Sequence, residues 1–295
     1  MKIGIDSYCY HRFFGEVYPQ QSAPPHNLSL EQFIARAHQL GVDGVSLESC
    51  FFPDYSSAYL GSVKKLLDDH KLDRVYAWGH PDGLEGGSNP ASYNDMISSF
   101  GRAKEIGAAV MRVVGSSLRF RHEPHEPQLQ RLAGMFRAAA RVAEEYDIRI
   151  AVENHIDFNS DEMRWLLDAV ASPYLGINFD TGNFLRVLDD PVKGMEKLAR
   201  RVYAAHIKDL QPQKGVPADE WYFFSSVPVG EGLVDNQRLV QMLADAGFDG
   251  VLAVEIDFLH PDFPDEDAAV AQSVAELRRL ASMAEGRPRR FSSRQ

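Results

Sequence analysis

The sequence predicts a (β/α)8 barrel, and three observations lead there. Short β-branched runs alternate with longer amphipathic segments along the whole chain. Eight such runs can be drawn. A length of 295 residues is generous for an average domain and ordinary for one closed barrel.

In chain order the expected strands are 2–6, 44–47, 74–77, 110–114, 149–152, 175–178, 202–207 and 250–254. Most are near-continuous apolar runs, the pattern of parallel strands covered on both faces. Between them, 30–40 carries Phe33, Ile34, Ala37 and Leu40 on one face. The segment 129–146 carries Leu132, Phe136, Ala139, Ala140 and Ala143. Segments 161–170, 191–200 and 236–246 continue the helical rhythm. Gly41, Gly107 and Gly247 stand where a helix must stop before the next strand. An open doubly wound sheet is the competing architecture. Its usual mark is a glycine-rich first turn, and the first turn here, DSYCYHRFFGE, has no GxGxxG.

No linker divides the chain, so residues 1–285 are expected to form one barrel domain and 286–295 a flexible C-terminal tail, GRPRRFSSRQ. Long connections follow the first, third and seventh strands, at 8–27, 78–89 and 210–234. In a barrel all three lie on the C-terminal face, where active sites are built. The last holds Trp221, Tyr222, Phe223 and Phe224, which suit a lid, a subunit contact or simple packing on the barrel top.

The net charge is -11, from 31 Lys and Arg against 42 Asp and Glu. Such a chain repels phosphates and anionic membranes, so neither nucleic acid nor membrane is expected as a partner. No apolar run reaches membrane-spanning length, and MKIGIDSYCYH does not read as a signal peptide, so a cytoplasmic location is expected. The two cysteines, Cys9 and Cys50, are too few for a disulfide scaffold and are expected as buried thiols.

The chemistry sits where the strands end. After the fifth strand, AVENH brings Glu153 and, two residues on, His155 toward the barrel mouth. The sixth ends in GINFDTGN, with Asp180. The seventh ends in AAHIKD, with His206, then Lys208 and Asp209. The eighth ends in AVEID, with Glu255 and Asp257. Any one of these could cap a helix or face water. Together, three carboxylates converging on one low-dielectric mouth repel one another, and a divalent cation removes the repulsion. Two Glu, one Asp and one His suit Mn²⁺ first, with Mg²⁺, Co²⁺ and Zn²⁺ also compatible. Four protein ligands leave open positions where a substrate diol or hydroxy-ketone could chelate.

In VENH (152–155), FDTGN (179–183), HIKD (206–209) and VEID (254–257) the sequence resembles the xylose-isomerase-like barrels. Within them it is similar to the sugar-phosphate isomerase/epimerase group, which includes ketose 3-epimerases and inosose isomerases and dehydratases. The resemblance covers roughly residues 2–283. It implies Glu153, Asp180, His206 and Glu255 as metal ligands. It also implies a small carbohydrate or glycoside substrate and proton abstraction next to its carbonyl. Glu153 and Glu255 would be the paired acid and base on opposite faces of a sugar carbon. Two features depart from the ketose 3-epimerases: Asn183 replaces a substrate-binding His, and LQPQK replaces a stretch holding an Arg.

The C-glycoside deglycosidases also look similar, and they imply His155 as the base. They act on 3-oxo-glucosides by enolisation and elimination, beside a small second subunit. A homo-oligomer or such a hetero-oligomer is therefore expected as the assembly. His11, Trp78 and His80, with Tyr8, are candidates for contact with a sugar or aglycone, as are Asn183, Lys208 and Asp209. Apurinic endonucleases share the barrel ancestry but use a richer set of His ligands that this acidic chain lacks. A non-catalytic sugar-binding protein would not need all four ligands.

Overall fold

The computed structural model describes residues 1–286. The tail expected at 286–295 therefore lies, apart from Gly286, outside the described residues. The strands are β1 (Lys2–Asp6), β2 (Gly44–Glu48), β3 (Asp73–Ala77), β4 (Val110–Val114), β5 (Arg149–Glu153), β6 (Leu175–Asp180), β7 (Val202–Ile207), β8 (Asp209–Pro212), β9 (Phe224–Val227) and β10 (Val251–Val254). All but β8 and β9 close into one barrel of eight strands, in the order β1-β10-β7-β6-β5-β4-β3-β2. The (β/α)8 architecture expected from the sequence is the one observed.

The helices are α1 (Leu30–Gln39), α2 (Ser57–Asp69), α3 (Pro90–Glu105), α4 (His125–Tyr146), α5 (Ser160–Val170), α6 (Asn183–Arg186), α7 (Pro191–Leu198), α8 (Asn236–Ala246) and α9 (Glu266–Glu285). Local chemistry explains their ends. Ser29 and Gln32 close a capping box at the start of α1, and Asn159 and Glu162 do the same for α5. Asn89 and Asp190 cap α3 and α7, each just before a first-turn proline. Gly41, Gly107 and Gly247 all take the left-handed conformation expected of helix stops, with φ of 66°, 77° and 82°.

Some elements differ from expectation. Helix α4 begins at His125 rather than 129, because Pro127 is tolerated in a first helical turn. The connection after β1 opens with 3-10 turns over Ser7–Phe14, capped by Asp6. The connection after β7 holds an antiparallel hairpin, β8 on β9. Cys9 is buried as expected, but Cys50 is exposed, because it follows the end of β2 at the barrel mouth. No helix among the described residues is long and apolar enough to cross a membrane.

The core divides in two. The larger part lies between the sheet and the helices, with Phe33, Phe100, Phe136 and Leu277 fully buried. The smaller lies inside the barrel, where Val75, Val110, Ala151 and Ala204 pack at the N-terminal end. Strand periodicity explains what comes next. Two residues beyond Val110 and Ala151, the inward positions become Arg112 and Glu153. Two beyond Ala204, the position becomes His206. The interior is a plug of small apolar side chains below a floor of charged ones.

One glycine in the wall of the mouth is sterically required. Gly83 has φ +56°, and a Cβ there would lie 2.4 Å from the Val114 carbonyl oxygen. A Gly83→Ala substitution is expected to lower stability by about 2–3 kcal/mol, from positive φ and a backbone clash together. Chemical denaturation measures this directly, and a loss within error of zero would contradict the close packing.

Candidate metal centre

Glu153, Asp180, His206 and Glu255 each offer a ligand atom, and these atoms all lie within 4.8 Å of one another. All four side chains are buried. Register accounts for the convergence: Glu153 sits beside Asn178, and Asp180 sits beside His206. His206 Nδ1 is 2.5 Å from Glu255 Oε2 and 3.5 Å from Glu153 Oε2.

The motifs that hold these groups divide their labour. In VENH, Glu153 and His155 turn inward. Between them, Asn154 exchanges two hydrogen bonds with the Asp180 backbone, at 2.9 Å each. That ties the end of β5 to the end of β6. In FDTGN, Asp180 Oδ1 accepts from the Gly182 and Asn183 N–H groups, which fixes the carboxylate and turns Oδ2 toward the cluster. Thr181 bonds the Lys208 backbone. Asn183 donates to Glu153 Oε1 at 3.2 Å. In HIKD, Lys208 Nζ reaches Asp257 at 2.8 Å, Asp180 at 3.2 Å and Glu255 at 3.5 Å.

Several partners lie outside the residues singled out from sequence. Arg112 of β4 bonds Glu153 and lies 3.2 Å from Glu48 of β2. Asp6 of β1 stands 3.3 Å behind His206 Nε2. Arg186 of α6 grips Asp257 at 2.5 and 3.0 Å and lies over the Trp221 ring. A signal for some of these was present. Asp6 and Glu48 are strand-end carboxylates like Glu153, and Arg112 is a lone charge in the apolar run VMRVV. Arg186 had no such signal, because a helical Arg usually faces water.

Burial and charge set the protonation states. Burial pushes Glu48 up to about 8, against the pull of Arg112. Burial likewise lifts Asp180 to about 6, opposed by Lys208. Glu153 and Glu255 are also buried, yet both are held low, Glu153 by Arg112 and His206 and Glu255 by Lys208 and His206. Burial disfavours charge on His206 too, but Glu255 and Glu153 outweigh it and hold its ring proton. His155, with burial dominant, falls to about 4 and is uncharged at neutral pH.

The donor set fits a cation. Asp180 Oδ2, His206 Nδ1 and Glu255 Oε2 are buried and make no well-formed hydrogen bond, although Nδ1 and Oε2 lie 2.5 Å apart and Lys208 Nζ lies 3.2 Å from Oδ2. Such atoms are costly to leave unsatisfied, and a divalent ion would satisfy all three.

Above the cluster opens a cavity of about 580 Å³. Lys208, Arg186, Arg112 and His155 line its depths, and Tyr8, Tyr18, His80, Leu118, Ile156 and Trp221 its walls. The aromatic run packs down on the barrel top: Trp221 lies 5.0 Å from Tyr18 and 5.8 Å from Phe258. Four candidates for substrate contact do not line this cavity, and the first, Asn183, is buried against Glu153. His11 is buried, with its ring nitrogens 2.6 Å from the carbonyls of Glu16 and Asp257, so it pins the loop after β1. Trp78 is buried and donates to Asp95, while His80 stacked on it faces the cavity. Asp209 accepts from the N–H groups of Leu210, Gly230, Gly232 and Val234 and so holds the loop before α8.

Comparison with known proteins agrees with this fold. The sequence pattern of a family described as xylose isomerase-like TIM barrel matches residues 34–284. A 3-oxo-isoapionate decarboxylase of Pectobacterium atrosepticum is 29% identical over 126 residues, covering 42% of this chain and 45% of that protein. An inosose dehydratase of Clostridium botulinum is 24% identical over 153 residues, covering 46% and 50%. The chain thus spans about half the length of these curated relatives. The solved structure of the IOLI protein with a binding zinc atom superposes with a TM-score of 0.73 at 14% identity, covering 97% of this chain and all of that one. At that identity the likeness shows the fold.

Proposed function

The chain belongs to the xylose isomerase-like TIM-barrel family, and from that premise we propose that it is a divalent-metal-dependent enzyme of the sugar isomerase/epimerase type. It would remove a proton next to a carbonyl of a sugar or keto-sugar. One observation carries the reading: four buried ligand atoms lie within 4.8 Å of one another, three of them without a well-formed hydrogen bond, and one of the four residues, Glu255, lines a substrate-sized cavity. Mn²⁺ is the expected ion, and Zn²⁺ is compatible, since a zinc atom is bound in one structural neighbour. Bound there, the ion would act as a Lewis acid on the carbonyl, lowering the barrier to loss of the adjacent proton.

The protein's own groups would do the rest. Glu153 and Glu255 come from strands on either side of the cluster and can hold a proton at opposite faces of one carbon. His155 lines the cavity, its Nδ1 is buried without a partner and its ring is uncharged, so it can accept a proton. Lys208 and Asn183 hold the carboxylates in place. Tyr8, His80 and Trp221 would contact the substrate's C–H surfaces and hydroxyls. The names of two relatives fit the same enol chemistry: an inosose dehydratase would begin with this proton loss, and a decarboxylase of a 3-oxo compound would reach its enol by losing carbon dioxide in place of the proton. Loss of carbon dioxide, loss of water, epimerisation and isomerisation all run through an enol.

A second reading is a lyase of the C-glycoside deglycosidase type, with His155 as base. The observation that favours it is the wall of Tyr18, Trp221, Leu118 and Ile156, which suits an aromatic aglycone. Proton NMR in D₂O separates the readings. Mn²⁺-loaded and EDTA-stripped protein would be given free ketoses, inosose and a 3-oxo-C-glucoside, with the metal removed before detection. The expected result is metal-dependent deuterium entry at one sugar C–H, with the product naming the reaction. Protein that binds no metal and exchanges no proton would overturn the enzyme reading and leave a sugar-binding protein.

A further inference from the structure

The charges around the cavity floor say what kind of substrate head it can receive. Each basic side chain there is matched. Arg112 lies between Glu153 and Glu48. Arg186 is clamped on Asp257. Lys208 contacts Asp257, Asp180 and Glu255. Against these three cations stand Asp6, Glu48, Glu153, Asp180, Glu255 and Asp257, all buried. A divalent ion adds two positive charges, which brings the floor to balance or to a slight negative excess. Among the described lining residues the remaining cation is Arg119, which is 74% exposed at the rim and 3.6 Å from Asp82.

Unpartnered polar atoms remain where spare charge does not. Arg186 uses its two terminal nitrogens on Asp257, Asn183 and the Phe224 carbonyl. Its Nε is buried and has no partner. One free N–H serves a single oxygen atom and cannot make the two-pronged contact that carboxylates and phosphates draw from arginine. His80 Nδ1 and His155 Nδ1 are likewise buried without partners, and both residues line the cavity. These groups match hydroxyl and carbonyl oxygens.

We propose that this floor selects an uncharged substrate head, a keto-sugar or keto-polyol with hydroxyl and carbonyl oxygens and no phosphate or carboxylate. This rests on the reading of the cavity as a carbohydrate site. An anion would enter a buried site whose positive charge is already spent, and it would meet Glu255 and Asp257 at close range.

The test uses matched pairs: a free ketohexose against its 6-phosphate, and the same skeleton against its keto-aldonic acid. Binding is read by saturation-transfer NMR on Mg²⁺-loaded protein, and deuterium entry is read separately. The neutral member of each pair should bind about tenfold tighter or more. In an Asp257→Asn variant, which releases Arg186 and Lys208 from one carboxylate, the gap should narrow about tenfold. If that variant fails to fold, as circular dichroism would show, the wild-type pairs still decide. Equal or tighter binding of the charged members overturns the proposal, and their deuterium exchange would leave the enolisation reading standing. Preferential binding of the neutral members with no exchange supports the proposal and removes enolisation. Binding of neither member across the panel overturns it as well.

Discussion

Replacing His206 with alanine should weaken divalent-cation binding about a thousandfold and lower turnover by a similar factor. The imidazole is the one nitrogen donor in the set, and Nδ1 is the atom nearest both Glu255 and Glu153. Asp6 at 3.3 Å from Nε2 orients the ring. Without the ring the ion keeps three carboxylates, all of which already have a competing cation, Arg112 beside Glu153 and Lys208 beside Asp180 and Glu255. The loss also reaches the metal-free fold. There the ring carries a proton and offsets Glu255 and Glu153, so its removal leaves buried acids less compensated. A cost on the order of 3 kcal/mol follows for a broken buried pair. Calorimetric metal titration and denaturant unfolding read the two effects separately. Metal affinity unchanged from wild type would remove His206 from the ligand set.

The second large effect belongs to His155. A His155→Asn substitution should lower kcat by about 10²–10⁴-fold while leaving metal affinity within a few-fold of wild type. The two halves differ because the residue lines the cavity and makes no hydrogen bond through Nδ1, yet is not one of the four converging groups. Asparagine keeps polarity and approximate size but cannot take a proton at neutral pH. An effect confined to KM would mean that His155 orients substrate and that Glu153 or Glu255 is the base. A kcat equal to wild type would exclude His155 from the chemistry altogether.

Most of the barrel is legible in the chain because its signals are local. Runs such as KIGID and VMRVV are strands by composition, and Gly41, Gly107 and Gly247 end helices by their backbone freedom. The same period-two logic carried Glu153, Asp180, His206 and Glu255 to one rim, since all four lie at or just beyond the ends of parallel strands. His11, Trp78 and Asp209 show where that logic stops. Each is a polar or aromatic group just past a strand, as the cluster residues are, yet each spends its polar atoms on loop or helix partners.

By itself, then, the sequence determined the repeating strands and helices, the face on which chemistry would gather and the four groups suited to a cation. Each follows from spacing along one segment. Only the tertiary structure decided which charges meet. Glu48 and Glu153 share Arg112 across 64 and 41 residues of chain, and Arg186 finds Asp257 across 71. Those pairings arise because closing the barrel turns β2, β4, β5, helix α6 and the segment after β10 toward one common interior, a distance relation that no local pattern encodes.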